Sequence, residues 1–302
     1  MGPLLFVIYI NDLPDGLENV FKMYADDSKV IAEVCEDGCN LQRDIVRIKE
    51  WCDKWSMCLN AGKCKIMHFG SKNPNIEYYI DKGNERVVLG VTEAEKDLGV
   101  IITKNCKNKQ QAEKAINRAN YELGKLRKTF KFFNAEIFKI LYPTFVRPHL
   151  EYASSVWNSI SIQHEAKLES IQRRATKMVI ELRTMGYKER LKTLGLTTLE
   201  ARRKRADLIQ TFKIINMVEE VDINMGTGNN LRRGVVNPGR RHGHQIEVEK
   251  WGYNPMRNNS LPNRTATAWN KLPSELVMAD TTKVFKSRVD EHMRSQSWRR
   301  SI

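Results

Sequence analysis

Residues 20–31, with the sequence VFKMYADDSKVI, decide the fold of the first third of the chain. Two short segments of β-prone residues enclose a tight acidic turn, a pattern that predicts a β-hairpin with Asp26 and Asp27 at its tip. Adjacent like charges repel, so such a pair is useful where a divalent cation binds beside it. Asp-rich turns also occur simply as turns, and the residues by themselves leave both interpretations open.

The segments around the hairpin predict an α+β fold. Before it, an apolar run from Leu4 to Ile10 predicts a buried helix or strand. After it, apolar residues recur at spacings of four and three, which predicts a helix whose apolar face packs on a sheet. These residues are Leu41, Ile45, Ile48, Cys52, Trp55 and Leu59. We expect a small antiparallel sheet from strand patterns at 63–70, 76–80, 86–91 and 97–103.

From about residue 108 the sequence becomes helical. Apolar residues keep a helical spacing over 112–130, 135–157, 162–182 and 199–218. Pro143 and Pro148 are expected to divide the second of these stretches. The sequence then becomes rich in Gly, Asn and Arg, which predicts loops ahead of a short terminal helix. The predicted domains are accordingly 1–106, 107–221 and 222–302.

The formal net charge of +14 is unevenly distributed. Residues 1–100 contain 12 basic and 17 acidic side chains, whereas residues 101–302 contain 38 and 19. A basic region of this kind predicts a polyanionic partner. With 41% hydrophobic and 28% charged residues the composition excludes wholesale disorder, and no early apolar run approaches the ~20 residues of a membrane span. We therefore expect an intracellular protein, nuclear or cytoplasmic, without a membrane partner.

Cysteine and histidine give no convincing metal site. All six cysteines precede residue 107 without a CxxC spacing, and we expect reduced thiols. His242 and His244 lie in the Gly- and Arg-rich segment, where we expect solvent-exposed loop histidines. Trp55 and Trp157 occur in apolar periodic segments, so we expect them to pack in the core rather than to stack on bases.

Several short motifs follow one another along the chain. They are Gly2-Pro3-Leu4-Leu5-Phe6, Asn11-Asp12-Leu13-Pro14, Tyr24-Ala25-Asp26-Asp27, Leu59-Asn60, Lys63-Cys64-Lys65-Ile66-Met67, Leu98-Gly99-Val100, Leu141-Tyr142, Glu151-Tyr152-Ala153-Ser154-Ser155-Val156-Trp157-Asn158 and Trp269-Asn270-Lys271-Leu272-Pro273. In this order they resemble the reverse transcriptase of non-LTR retrotransposons, and in particular the jockey-like group. Each motif is weak singly, whereas the ordered set is specific and covers most of the chain.

The resemblance implies roles for residues of the polymerase palm, to which the acidic hairpin would belong. Asp26 and Asp27 would bind Mg²⁺ or Mn²⁺ in a two-metal nucleotidyl transfer, with Asp26 the stronger candidate for a direct ligand. Lys63 would neutralise or protonate the leaving pyrophosphate, although a solvated surface lysine is its plain alternative. Tyr24 would lie near the primer end or the incoming nucleotide. The turn Leu98-Gly99-Val100 matches the hairpin that grips the primer.

The helices of 107–221 would form the thumb. Their basic residues would follow the backbone of an RNA template and an RNA–DNA or DNA primer duplex without reading sequence. The candidates are Lys125, Arg127, Lys128, Arg173, Arg174, Arg202, Arg203, Lys204 and Arg205. Solvated helix faces without a ligand are the alternative.

Two parts of the family pattern are not found in the sequence: an upstream catalytic aspartate of the palm and the fingers region. Two-metal chemistry needs carboxylates from both palm strands. We therefore expect the chain to be the C-terminal part of such a polymerase and not to polymerise alone. The alternatives are a truncated remnant that only binds RNA or RNA–DNA hybrid, and an unrelated metal-dependent phosphohydrolase. The sequence predicts no oligomeric state.

Overall fold

The computed structural model describes residues 1–34, 39–83, 85–219, 221, 242, 244–247 and 255–299. These residues form helices and small sheets, a mixture compatible with the predicted α+β class. Their contacts divide the chain into two units. The first is Met1–Asp97 with Ile102–Asn105, and the second is Leu98–Ile101 with Cys106–Ile302. The loops predicted from residue 222 onward lie largely outside the described residues.

The first unit contains short strands and one long helix. In chain order its elements are α1 (Gly2–Tyr9), β1 (Val20–Tyr24), β2 (Asp27–Ile31), α2 (Cys39–Lys54), β3 (Lys65–Ile66), β4 (Tyr79–Lys82), β5 (Glu85–Val88), β6 (Gly90–Val91) and β7 (Ala94–Asp97), and β8 (Val100–Thr103) follows. The pairs β1–β2 and β4–β5 are antiparallel, whereas β3–β6 is parallel.

The described strands form four two-stranded sheets, so the prediction of one small antiparallel sheet is wrong. The observed strands are also shorter than predicted. Two residues unsuited to a strand lie between β3 and β4. Pro74 has no backbone N–H to donate to a neighbouring strand, and Asn75 has a φ of +53°.

Helix α2 packs its apolar face near β4 and β5, as predicted. Its residue Ile45 belongs to a buried cluster with Tyr78, Ile80 and Leu89. Trp55 continues the same apolar spacing but is 39% exposed, so the prediction of core packing is wrong for this residue. The reason is that α2 ends at Lys54, and Trp55 lies in the turn that follows.

Helix α1 is exposed, and the prediction of a buried first element is wrong. None of its eight residues is buried, and Leu4, Leu5 and Ile8 are 63%, 59% and 64% exposed. Burial begins only after the helix, at Ile10 and Leu13. Apolar residues surround α1 instead of forming one stripe, so no single packing partner could cover them all.

The second unit is helical in the residues described. Its elements are α3 (Lys109–Thr129), α4 (Ala135–Leu141), a π-helix (Tyr142–Val146), α5 (Arg147–Glu151), α6 (Ser154–Trp157), α7 (Ile162–Thr176), a 3-10 turn (Ile180–Leu182), α8 (Tyr187–Leu194), α9 (Leu199–Ile215), α10 (Pro255–Asn258), α11 (Leu261–Trp269), α12 (Ser274–Val277) and α13 (Thr282–Arg299). The stretch 135–157 is divided as predicted, with Pro143 and Pro148 in the first turns of the π-helix and of α5.

Helices α3 and α7 run in the same direction. At their N-terminal ends Asn108 Nδ2 donates to Ser159 O at 3.3 Å. Just beyond their C-terminal ends Ile180 N donates to Phe133 O at 3.1 Å. Between these points the two helices bury one core, in which Trp157 is fully buried as predicted. Both C-termini therefore lie at the same end of this pair.

The C-terminal helices pack on α9. Phe212 of α9 stacks on Phe285 of α13 with ring centroids 4.2 Å apart, and Trp269 is fully buried beside them. His242 is only 3% exposed, with its Nε2 3.1 Å from Trp269 O, so its predicted solvent exposure is wrong. Trp269 Nε1 also donates to His244 O at 2.7 Å. The sequence motif around Trp269 therefore acts as a structural anchor for the segment before it.

A buried ion pair fixes α11 on α9. Arg264 contacts Asp207 twice, with Nη2 2.9 Å from Oδ1 and Nε 3.0 Å from Oδ2. Asn158 Nδ2 donates to the same carboxylate at 2.6 Å. Asp207 is 3% exposed, and loss of either ionic partner would leave an uncompensated charge inside the protein.

Candidate functional site

The acidic turn is a two-residue hairpin loop. Tyr24 and Asp27 are the last paired residues of β1 and β2, so Ala25 and Asp26 form the loop. Tight hairpin loops of this length need positive φ at a central residue, and Ala25 adopts φ +52°. A non-glycine residue in this region is uncommon, and such local strain tends to occur at functional sites.

The side chains of this turn face solvent. Tyr24 is 67% exposed, and Asp26 and Asp27 are exposed beside it. Within the described ranges neither carboxylate forms an ion pair or accepts a hydrogen bond. Both groups are thus available to an external cation.

The acidic pair fits part of a magnesium site. Carboxylate oxygens suit Mg²⁺, which proteins commonly hold through one or two carboxylates together with water and substrate phosphates. Across the part of the chain that the structure describes, no group of three or more His, Cys, Asp or Glu side chains is placed to hold a metal. Asp26 and Asp27 therefore provide two carboxylates, and among the described residues no third acidic, cysteine or histidine ligand is grouped with them.

Asp44 of α2 anchors the start of the acidic hairpin. Its buried carboxylate accepts hydrogen bonds at 2.9 Å from Glu18 N and Asn19 N, directly before β1, and one at 2.8 Å from Asn19 Nδ2. Burial alone would raise the pKa of Asp44, but these hydrogen bonds and the charge of Arg47 outweigh burial, and its pKa lies below the ordinary 3.8. Sequence reasoning missed this residue because the helical spacing marks only apolar positions.

Lys63 lies in an exposed turn, where its backbone N–H donates to Asn60 O at 2.9 Å. Among the contacts of the described residues none joins its side chain to Asp26 or Asp27. The structure thus does not bring the predicted lysine and the acidic pair into contact.

The turn Leu98-Gly99-Val100 belongs by its contacts to the second unit. Leu98 is 43% exposed, whereas Val100 is 6% exposed and packs in the core with residues of α3. Both Leu98 and Gly99 have positive φ, +42° and +90°. This is the backbone of a tight hairpin turn, as the resemblance implied. The strand pattern predicted over 97–103 is wrong at Leu98 and Gly99, because the turn separates β7, which ends at Asp97, from β8, which begins at Val100.

The side chains of the predicted basic run 202–205 pair with other residues of the second unit. The partners are Glu151 for Arg202, Asn158 and Glu165 for Arg203, Glu200 for Lys204 and Asp290 for Arg205. Arg203 is only 2% exposed, so its predicted role in binding nucleic acid is wrong: its guanidinium lies inside the protein. The run mainly joins α9 to its neighbours.

A different set of cations is exposed where α3 and α7 end. We call these residues the basic end: Arg127, Lys128, Lys131, Arg173, Arg174 and Lys177. No ion pair with an acidic side chain involves them in the described part of the chain. Arg173 lies over the ring of Tyr187 at 4.6 Å. Lys125, also predicted, is exposed one turn earlier and pairs with Glu122 at 3.0 Å.

Sequence reasoning did not select Lys131 and Lys177 of this group. They lie just after α3 and α7, and only the parallel packing of the two helices places them at one end. Cations at helix C-termini also interact favourably with the helix dipoles.

Comparison with known proteins defines the class. Residues 1–112, which include the acidic hairpin, match the family model "Reverse transcriptase (RNA-dependent DNA polymerase)". This match confirms the resemblance found in the motifs: residues 1–112 are similar to reverse transcriptases.

A particular relative supports the same assignment. The RNA-directed DNA polymerase from mobile element jockey of Drosophila funebris is 25% identical over 197 residues, which cover 59% of this chain and 21% of the relative. The chain thus matches about a fifth of that relative's length. No solved structure matches the chain. Among the helices described, none is long and apolar enough to cross a membrane.

We predict that Asp44→Asn loosens the acidic hairpin and removes part of its acid sensitivity. Loss of the charge-assisted hydrogen bonds should lower the free energy of unfolding at pH 7 by about 2 kcal/mol. Because the folded pKa of Asp44 is depressed, its stabilisation is present above about pH 4 and is lost as the pH falls through that lowered value. Urea unfolding between pH 7 and pH 3 measures both effects.

Asp53→Asn, which removes an exposed carboxylate from the same helix, is the matched control. It should change stability by less than about 1 kcal/mol. Parallel pH profiles for wild type and Asp44→Asn would contradict the assignment.

Proposed function

We propose that this chain provides the acidic palm hairpin and the thumb of an RNA-directed DNA polymerase from a non-LTR retrotransposon. The observation that carries the proposal is the exposed carboxylate pair of Asp26 and Asp27, without partners in the described residues, on a strained turn of the segment that matches the reverse transcriptase family. The first unit would be part of the palm, and the helices of the second unit would be the thumb.

In this proposal Asp26 and Asp27 would hold Mg²⁺ or Mn²⁺, with Asp26 the stronger candidate for a direct ligand. Two bound ions would supply charge stabilisation to the attacking and leaving oxygens during nucleotidyl transfer. Lys63 would donate positive charge or a proton to the leaving pyrophosphate, and the exposed ring of Tyr24 would contact the primer end or the incoming nucleotide. The turn Leu98-Gly99-Val100 would contact the primer.

The basic end would bind the sugar–phosphate backbone of the primer–template duplex. Its cations lack acidic partners in the described residues, so binding phosphate breaks no internal ion pair. Such contacts release counterions and depend little on sequence. Arg202, Lys204 and Arg205 already have carboxylate partners, which favours the basic end as the main surface for the duplex.

The catalytic proposal is tested by primer extension with the full chain, an RNA template, a DNA primer, dNTPs and Mn²⁺. If the chain polymerises, Asp26→Asn and Asp27→Asn should each abolish incorporation, because each removes one anionic oxygen ligand. Asp81→Asn, which removes an exposed carboxylate of β4, should leave incorporation unchanged. Incorporation that survives Asp26→Asn would contradict the site, and duplex binding without incorporation would support the alternative that this chain only binds nucleic acid.

The duplex surface is tested by the salt dependence of affinity for an RNA–DNA hybrid. Lys128→Ala should reduce the slope of log affinity against log salt by about 1, and the double variant Arg127→Ala with Lys128→Ala by about 2. Lys204→Ala removes one exposed lysine that is paired with Glu200 and should leave the slope unchanged. Equal effects of Lys128→Ala and Lys204→Ala would show that the basic end is not the binding surface.

A further inference from the structure

Side chains of the second unit hold the tip of the turn at Leu98 and Gly99. Tyr152 Oη donates to Leu98 O at 2.8 Å, and Lys114 Nζ donates to Gly99 O at 2.6 Å. Just after the tip, Ile101 N donates to Gln111 Oε1 at 2.9 Å. Two successive carbonyls of one turn are therefore bound from α3 and from the residue after α5.

The ring of Tyr152 also leaves little room for a side chain at the tip. A Cβ added to Gly99 would lie 3.1 Å from Tyr152 Cε1, closer than most real contacts of this kind. The φ of +90° at Gly99 is itself a conformation that L side chains rarely adopt. Gly99 is thus fixed both by its backbone angle and by the approach of the tyrosine ring.

Tyr152 is in turn fixed by the core. Trp157, which is fully buried, donates from Nε1 to Tyr152 O at 2.8 Å. The next residue, Ala153, has φ +49°, so the chain turns sharply after the tyrosine. This arrangement accounts for the motif 151–158, to which the proposed chemistry assigns no role: its tryptophan is the anchor, and its tyrosine contacts the turn.

The bound carbonyls set the direction of a backbone donor. The described chain has no cis peptide bonds, so the N–H of Gly99 points opposite to the carbonyl of Leu98 in the same peptide plane. Because Leu98 O faces Tyr152, the N–H of Gly99 faces away from Tyr152. A backbone N–H presented in this way at a turn is a donor suited to a phosphate oxygen.

We propose that Tyr152 and Lys114 are positioning residues for the primer strand. They hold the turn so that the N–H of Gly99 faces a phosphate of the primer near its 3′ end. This inference rests on the proposed function, since it takes the turn to contact the primer. Tyr152 and Lys114 act through the turn and need not touch the reacting atoms.

Two measurements on the full chain test the inference. The first is amide hydrogen exchange of residues 97–101 in the free protein. Tyr152→Phe keeps the ring against Gly99 and removes only the hydroxyl, so exchange should rise about fivefold. Lys114→Gln should have a similar effect at the neighbouring carbonyl. Tyr121→Phe, which alters an exposed tyrosine of α3, should have none.

The second measurement compares affinity for a hybrid with a recessed primer 3′ end with affinity for a blunt hybrid of equal length. The wild-type protein should bind the hybrid with the recessed end more tightly than the blunt hybrid. Both variants should lose most of this preference. Their affinity for the blunt hybrid should stay unchanged, because that hybrid binds at the basic end. A residue with a merely structural role would lower both affinities together.

The outcomes separate the inference from the proposed function. Unchanged exchange in both variants would overturn the contact between the turn and its anchors. Faster exchange with an intact preference for the recessed end would overturn the positioning role while leaving duplex binding in place. If wild type binds neither hybrid, the proposed function fails, and the positioning role fails with it.

Discussion

Adjacent carboxylates repel each other, and Asp26 and Asp27 place this constraint on the tip of the β1–β2 hairpin. Asp26 lies in the two-residue loop and Asp27 at the start of β2, and in the described residues no cation of the chain pairs with either carboxylate. The hairpin therefore needs stabilisation from elsewhere. Part of it comes from Asp44, whose carboxylate binds the backbone just before β1. The arrangement places the stabilising contacts at the base of the hairpin and leaves the charged tip free for a cation.

The second unit uses its many cations in two different ways. Arginines of α9 and α11 pair with carboxylates between helices, as Arg205 does with Asp290 and Arg264 with Asp207, and these pairs join the parts of the unit. Cations at the ends of α3 and α7 have no such partners in the described ranges and face solvent. Net charge alone does not distinguish the two groups. The acidic partners of the side chains do distinguish them, and they favour the basic end as the proposed surface for nucleic acid.

Sequence reasoning predicted the parts that depend on local pattern. The hairpin 20–31, helix α2 and the division of 135–157 by proline follow from spacing, turn chemistry and the geometry of proline. The resemblance to reverse transcriptases depends on the order of the motifs, which carries more information than any single motif. Asp26 and Asp27 are candidate site residues because an acidic pair in a tight turn is visible in the sequence itself, and the structure confirms the turn.

The rest depends on contacts between distant segments. Charge patterning could not show that Arg203 is buried beside Asn158, or that Lys131 and Lys177 share one end of two parallel helices. The exposure of α1 and the burial of His242 likewise depend on which elements pack together, and local hydrophobicity does not report this. Tyr152 is part of a motif that is visible in the sequence, but its hydrogen bond to Leu98 O is visible only in the structure.

The most direct test of the central claim is the stability of the wild-type protein and of Asp26→Asn, measured with and without Mn²⁺. Removing one of two repelling charges should stabilise the first unit when no divalent cation is present, whereas Mn²⁺ should stabilise only the wild type, because a ligand that binds the folded state raises its stability. Mn²⁺ should therefore reverse or cancel the greater stability of the variant. A wild-type protein whose stability is independent of Mn²⁺, or an Asp26→Asn variant that responds equally, would contradict the central claim.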